Sequence, residues 1–99
     1  MPGVPGLTGI DVACRPDDDG WRCRVQLTDD RGTGEHLVRV TRADLDRLAP
    51  GTADPADLVR RSFEFLLERE PRTSILREFD LPVIGRYFPD YERQIARRV

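Results

Sequence analysis

Apolar residues at every second position, in three successive stretches, constrain this chain more than any other feature. Ile10, Val12 and Cys14 alternate with Asp11, Ala13 and Arg15. Trp21, Cys23, Val25 and Leu27 alternate with Arg22, Arg24, Gln26 and Thr28, and Val38 and Val40 share a third stretch from His36 to Thr41. A period of two marks a strand with one buried face. The segments between are turn-like: Pro16-Asp17-Asp18-Asp19-Gly20, then Asp29 to Glu35 with Gly32 and Gly34. A symmetric first turn sets Ile10 against Leu27, Val12 against Val25 and Cys14 against Cys23, all on one side. A second hairpin with Leu27 against Val38 and Val25 against Val40 keeps the apolar set on that side, whereas a slip of one residue scatters it. The expected unit is a three-stranded antiparallel meander whose apolar face needs a cover.

The cover is expected from Asp54 to Pro89, which holds all four Phe. Asp54 suits an N-cap, Pro55 the first helical position, and Asp57 the positive end of the helix dipole. Leu58, Val59, Ser62, Phe63, Phe65, Leu66 and Leu67 then form an arc too wide for burial on one side only, and Glu70-Pro71 ends the helix. Short helices are expected from Thr73 or Ser74 through Ile75, Leu76 and Phe79, from Asp80 through Leu81, Val83, Ile84 and Tyr87, and from Pro89 through Tyr91 and Ile95. Before the central helix, Thr41-Arg42-Ala43-Asp44 has the form of a capping box and predicts a short helix to about Leu48. The fold class is therefore α+β: a meander, a short helix, a central helix and a run of short C-terminal helices on one sheet face. Residues 1–8, with two Pro and two Gly, are expected to form a flexible arm, and residues 9–99 a single domain.

The C-terminal half carries SFEFLLEREP, then SIL, FDL, Ile84 and YFP-x-Y, spread from Ser62 to Tyr91. In these motifs it resembles a set of small uncharacterised bacterial proteins, over about a third of the chain. That resemblance implies no activity, cofactor or partner.

The formal net charge of −2 argues against a protein built to coat nucleic acid or anionic membrane. No apolar run approaches ~18 residues, so no membrane partner is expected, and MPGVPGLTG lacks the features of a secretory signal. The expected location is cytoplasmic, and with it Cys14 and Cys23 are expected to be reduced, buried small hydrophobes. All sixteen basic residues are Arg, which goes with a GC-rich genome.

No catalytic, cofactor or metal motif stands out. Asp17, Asp18 and Asp19 lack EF-hand spacing and sit roughly 25 Å from Asp29 and Asp30 at the strand's other end. Arg31-Gly32-Thr33-Gly34-Glu35 leads into a strand, not a helix, so it offers phosphate no helix N-terminus. His36 has no nucleophile placed beside it and is expected to be structural or exposed. Glu64, Glu68 and Glu70 pair along a helix surface with Arg60, Arg61 and Arg69. Ser74 to Phe88 has the outline of a helix-turn-helix, but its second helix is too short before Pro89 and offers only Arg86 as a base reader. Tyr87, Phe88 and Tyr91 are expected to close the core, each Tyr keeping its hydroxyl wet. A small enzyme site would have to use Tyr87, Asp90 and Glu92.

The outer sheet face is the exception. The register places Arg15 opposite Arg22, Arg24 diagonal to Arg15, and Arg39 opposite Gln26, with only Asp11 to offset them. Arginine offers flat bidentate donors to carboxylate or phosphate. The expected function is a non-catalytic interaction module that docks an acidic protein partner through Arg15, Arg22, Arg24 and Arg39, with Leu37 as an apolar contact. The alternative is nucleic-acid binding through the same face. A homodimer through an outer strand edge or leftover helix surface is a further option.

Overall fold

The structure is a computed structural model that describes residues 7–51 and 54–98. Strands β1 (Leu7–Asp17), β2 (Gly20–Asp29) and β3 (Gly32–Thr41) form the antiparallel meander. Helices α1 (Arg42–Leu48) and α2 (Pro55–Leu67) follow, then a 3-10 turn (Arg72–Ser74), a short strand β4 (Glu78–Asp80), a second 3-10 turn (Leu81–Val83), α3 (Ile84–Tyr87) and α4 (Tyr91–Arg98). The sheet order is β1-β2-β3-β4, with β4 parallel to β3. Residues 1–6 of the expected arm lie outside the described residues, and Leu7 and Thr8 belong to β1.

The first hairpin has the expected register, with Ile10 on Leu27, Val12 on Val25 and Cys14 on Cys23. The second does not. Cys23 faces Val38, Val25 faces His36 and Arg22 faces Arg39, so β3 is displaced by four residues from the expected pairing. The cause is the turn, which is tight and not a loop from Asp29 to Glu35. The Asp29 carboxylate accepts the N–H groups of Arg31 (2.9 Å) and Gly32 (3.1 Å), and Gly32 takes a φ of +144°, which favours glycine. Because the displacement is even, Val38 and Val40 keep their face.

That face is the core. Cys23, Val25, Leu27, Val38 and Val40 are buried in one cluster with Leu58, Val59, Phe63, Phe65 and Leu66 of α2. The helix starts as expected: Asp54 accepts from the Ala56 N–H at 3.0 Å, with Pro55 in the first position. The α1 capping box is closed in both directions between Thr41 and Asp44. The far side of α2 is covered by α4. Phe65 meets Tyr91 edge-on at 5.3 Å. Ser62 Oγ donates to the Leu58 carbonyl (2.8 Å), so the Tyr91 hydroxyl, 2.6 Å away, donates to Ser62. Tyr91 is therefore fully buried rather than wet at its tip, and burial pushes its hydroxyl pKa well above the ordinary value.

Between Ile75 and Asp80 the expected helix is replaced by β4. Ile75 and Phe79 fit a helical spacing, but Glu78-Phe79-Asp80 also alternates, and the far edge of β3 competes for it. Leu37 N–H donates to the Arg77 carbonyl at 2.7 Å, and Phe79 turns in against Phe63. The outline of a helix-turn-helix is absent here, since strand and 3-10 turn occupy its place. Asp80 precedes the second 3-10 turn without a side-chain cap, and the last helix starts at Tyr91 rather than Pro89. Gly20 allows the close approach of β3, because a Cβ there would lie 2.1 Å from the Val40 carbonyl oxygen.

Cys14 and Cys23 are joined by a disulfide, which overturns the expectation of reduced thiols. The facing positions were evident in the pattern; the expected compartment pointed the other way. A bridge closing a loop of nine residues' separation restricts the unfolded chain by about 1–3 kcal/mol. Replacing both cysteines by Ala is expected to lower Tm by roughly 5–15 °C in a thermal melt under non-reducing conditions.

Arg72 ties the β2–β3 turn to the chain after α2. Its Nε and Nη2 reach the two Asp29 oxygens at 2.8 and 3.2 Å, and its side chain crosses Gly34. The Arg72 hydrogen bond, then the Arg31 N–H, hold the Asp29 pKa down at about 2. A carboxylate with a depressed folded pKa contributes stability above its unfolded value of about 4, and loses it as pH falls through the folded value. In an NMR titration, Asp29 is expected to protonate at about 2 in the native chain and to return towards the ordinary carboxylate range in Arg72→Ala.

Candidate functional site

The helices pack on one side of the sheet, and among the described residues the other side stays open. Asp11, Ala13, Arg15, Arg22, Arg24, Gln26, Glu35 and Arg39 are exposed there, and Leu37 is half-buried. The observed register arranges them in rows across the strands. Arg15 faces Arg22, Arg22 faces Arg39, and Arg39 faces Asp80. In the next row Ala13, Arg24, Leu37 and Glu78 stand side by side. Arg39 is thus opposite Arg22 and not Gln26, a correction that places three arginines in one line.

A basin lined by Arg15, Arg22, Arg24 and Leu37, together with Asp17 and Glu35, occupies this face. It unites four of the five expected residues. Arg39 lies on β3 two residues beyond Leu37, beside Glu78 and Asp80.

The expectation that Asp11 alone offsets the arginines is wrong. Arg22 pairs with Asp17 at 3.4 Å, Arg24 with Glu35 at 3.7 Å and Arg39 with Asp18 at 3.7 Å. β4 adds Glu78 and Asp80 to the same side. These acids escaped the pattern because Asp17 and Glu35 lie in strand ends where the sequence suggests turns, Asp18 lies in the turn itself, and β4 replaces an expected helix; the alternation of Glu78-Phe79-Asp80 is the available signal. The ion pairs are long, and their arginine side chains are 46–59% exposed. Pairs of this kind contribute about 0–1 kcal/mol, so they exchange readily for other carboxylates. Among the described residues, Arg15 has no ion-pair partner.

Other features separate. Asp90 pairs with Arg69 at 3.0 Å, and Glu92 pairs with Arg47. Tyr87 points elsewhere, with 67% exposure. It lines an apolar groove of about 330 Å³ with Leu66, Ile75, Leu76, Phe79 and Phe88, to which neither acid contributes. The three residues that an enzyme site would need are therefore not brought together. His36 lies inside and not at the surface. Its Nδ1 is 2.7 Å from the Leu76 carbonyl, its ring tilts against Phe63 at 5.5 Å, and Nε2 is buried without a partner among the described residues. Alternation alone could have placed it, two residues before Val38. Among the described residues no group of three or more His, Cys, Asp or Glu is set to hold a metal ion, and no helix is long and apolar enough to cross a membrane.

Comparisons with family models, with curated proteins and with solved structures find no match to this chain.

Proposed function

We propose that the protein is a small interaction module that docks an acidic protein segment on its open sheet face. One observation carries this: Arg15, Arg22 and Arg39 stand directly opposite one another on the side that no described helix covers. Like charges facing each other across strands oppose pairing by up to ~1 kcal/mol per contact. A partner that lays carboxylates along the row relieves that repulsion and gains bidentate geometry. Leu37, half-buried beside Arg24, supplies the apolar contact at the centre. Catalysis is not part of the proposal.

Nucleic acid is the weaker candidate for this face. Glu35, Glu78, Asp80 and Asp11 surround the arginines and would repel a continuous phosphate backbone, whereas a protein segment can space its acids to avoid them. The Cys14–Cys23 bridge bears on location as well. Bonds of this kind persist in oxidising compartments and are rare in the cytosol, so the bridge weighs against the cytoplasmic expectation.

Fluorescence anisotropy with a labelled oligoglutamate peptide and an oligonucleotide of equal charge tests the assignment. The peptide is expected to bind with a shallow salt dependence. Arg22→Glu, Arg24→Glu and Arg39→Glu together are expected to weaken it about tenfold or more, as the loss of several charge-assisted contacts implies. Unchanged peptide binding by that variant refutes the docking face. Preference for the oligonucleotide, with the steep salt slope of counterion release, transfers the face to nucleic acid.

A further inference from the structure

The sheet has two edges of different character. The far edge of β3 is partly closed by β4, but β1 is the outermost strand on the other side, with no strand beside it among the described residues. It is 11 residues long. An exposed strand of this length is a template for pairing with another chain.

The backbone parity of that edge follows from the first hairpin. The two-residue turn makes Asp17 and Gly20 the closing hydrogen-bonded pair. The Cα atoms of Cys14 and Cys23 are 3.9 Å apart, the close spacing of a non-hydrogen-bonded pair. Asp11, Ala13 and Arg15 therefore direct their N–H and C=O groups to β2, and Ile10, Val12 and Cys14 direct theirs to the open edge. Pro16 is on the same parity and presents only its carbonyl, which limits the ladder at that end.

Side chains on β1 are also left incomplete. Asp11 and Arg15, four residues apart on the outer face, have no ion-pair partner among the described residues. On the inner face Ile10 and Val12 are only half-buried, whereas their β2 neighbours Leu27 and Val25 are 0% exposed. Among the described residues, the core is open at this margin.

We infer that β1 is a self-association edge, pairing antiparallel with β1 of a second copy about a two-fold axis through Ala13. In this register Asp11 of each copy faces Arg15 of the other, giving two symmetry-related ion pairs. Val12 and Cys14 of the two copies exchange both backbone bonds, and each Ile10 N–H donates to the Pro16 carbonyl across the axis. Ile10 and Val12 gain apolar neighbours. The other even registers fail on charge: centring on Asp11 or Arg15 opposes like charges, centring on Cys14 opposes Asp11 to Asp17, and centring on Val12 pairs neither charge. Odd registers put the two apolar faces on opposite sides of the joint sheet. Arg15 then belongs to the dimer contact, and Arg22, Arg24 and Arg39 of each copy remain for docking on a continuous outer face.

The test is a charge swap read by sedimentation velocity over a concentration series, with circular dichroism to confirm that each variant is folded. The native chain is expected to show a concentration-dependent dimer. Asp11→Arg alone and Arg15→Asp alone each place like charges across both contacts, and each is expected to raise the dissociation constant about tenfold or more. Mixed together, the two variants restore complementarity at both contacts. At one contact the introduced arginine of the first variant meets the introduced aspartate of the second; at the other, the unchanged Arg15 of the first meets the unchanged Asp11 of the second. A heterodimer is therefore expected. The double variant in one chain is expected to dimerise again. A native chain that stays monomeric throughout, or a dimer indifferent to both single changes, overturns the inference. So does failure of the two folded variants to associate when mixed. None of these outcomes depends on oligoglutamate binding, so the docking proposal stands or falls separately.

Discussion

Burial of alternate side chains beneath α2 is the constraint on which the rest of the structure depends. Phe63, which meets His36 of β3, can be covered from the sheet side only if each strand presents its apolar parity to it. On β2 that set is Cys23, Val25 and Leu27, and on β3 it is His36, Val38 and Val40, all at 0–4% exposure. The hydrophobic term, at about 25 cal/mol per Å² of apolar area, penalises any odd displacement heavily because it would send the whole set to solvent. An even displacement costs the core little. The same constraint thus decides the face and leaves the position along the strand to other forces.

That division explains what could be read from residues alone. Strand identity, face and the first hairpin follow from alternation and a symmetric turn, and α1 and α2 follow from their caps. The second hairpin slid by four residues because alternation does not distinguish even registers. What selects among them is the Asp29 carboxylate wrapping the Arg31 and Gly32 N–H groups, held from outside by Arg72. Arg72 lies 43 residues away in sequence, so no local pattern announces it. β4 was hidden for a similar reason. Ile75 to Phe79 satisfies a helical spacing, and only the unfilled edge of β3, together with the buried His36 ring bonding the Leu76 carbonyl, converts it to a strand.

The candidate site inherits both outcomes. Its five residues share a face because parity was legible, and four of them line one basin. Its electrostatics were not legible, since they depend on the register and on β4. The slide brings Arg39 beside Arg22, concentrating positive charge, while the same rearrangement delivers Asp80 and Glu78 to the end of each row. The face is consequently a patterned one, with a basic line and an acidic border, rather than a uniformly basic patch. Patterned charge favours recognition of a particular arrangement of partner groups over non-specific attraction.

The two sheet edges show how the same chain treats equivalent backbone groups differently. On β3, the segment after α2 supplies a strand just long enough to meet Leu37, Val38 and Arg39, and Phe79 carries its contribution into the core. On β1, no described segment does this, and among the described residues the proline at position 16 is the device that blunts pairing. Its place near the turn leaves the middle of the strand, from Ile10 to Cys14, free to bond. The Cys14–Cys23 bridge lies under that free stretch and fixes β1 to β2, so the edge is presented by a braced hairpin rather than by a strand able to peel away. A braced edge loses less conformational entropy on pairing, which is the condition under which a few backbone bonds and two ion pairs suffice for association.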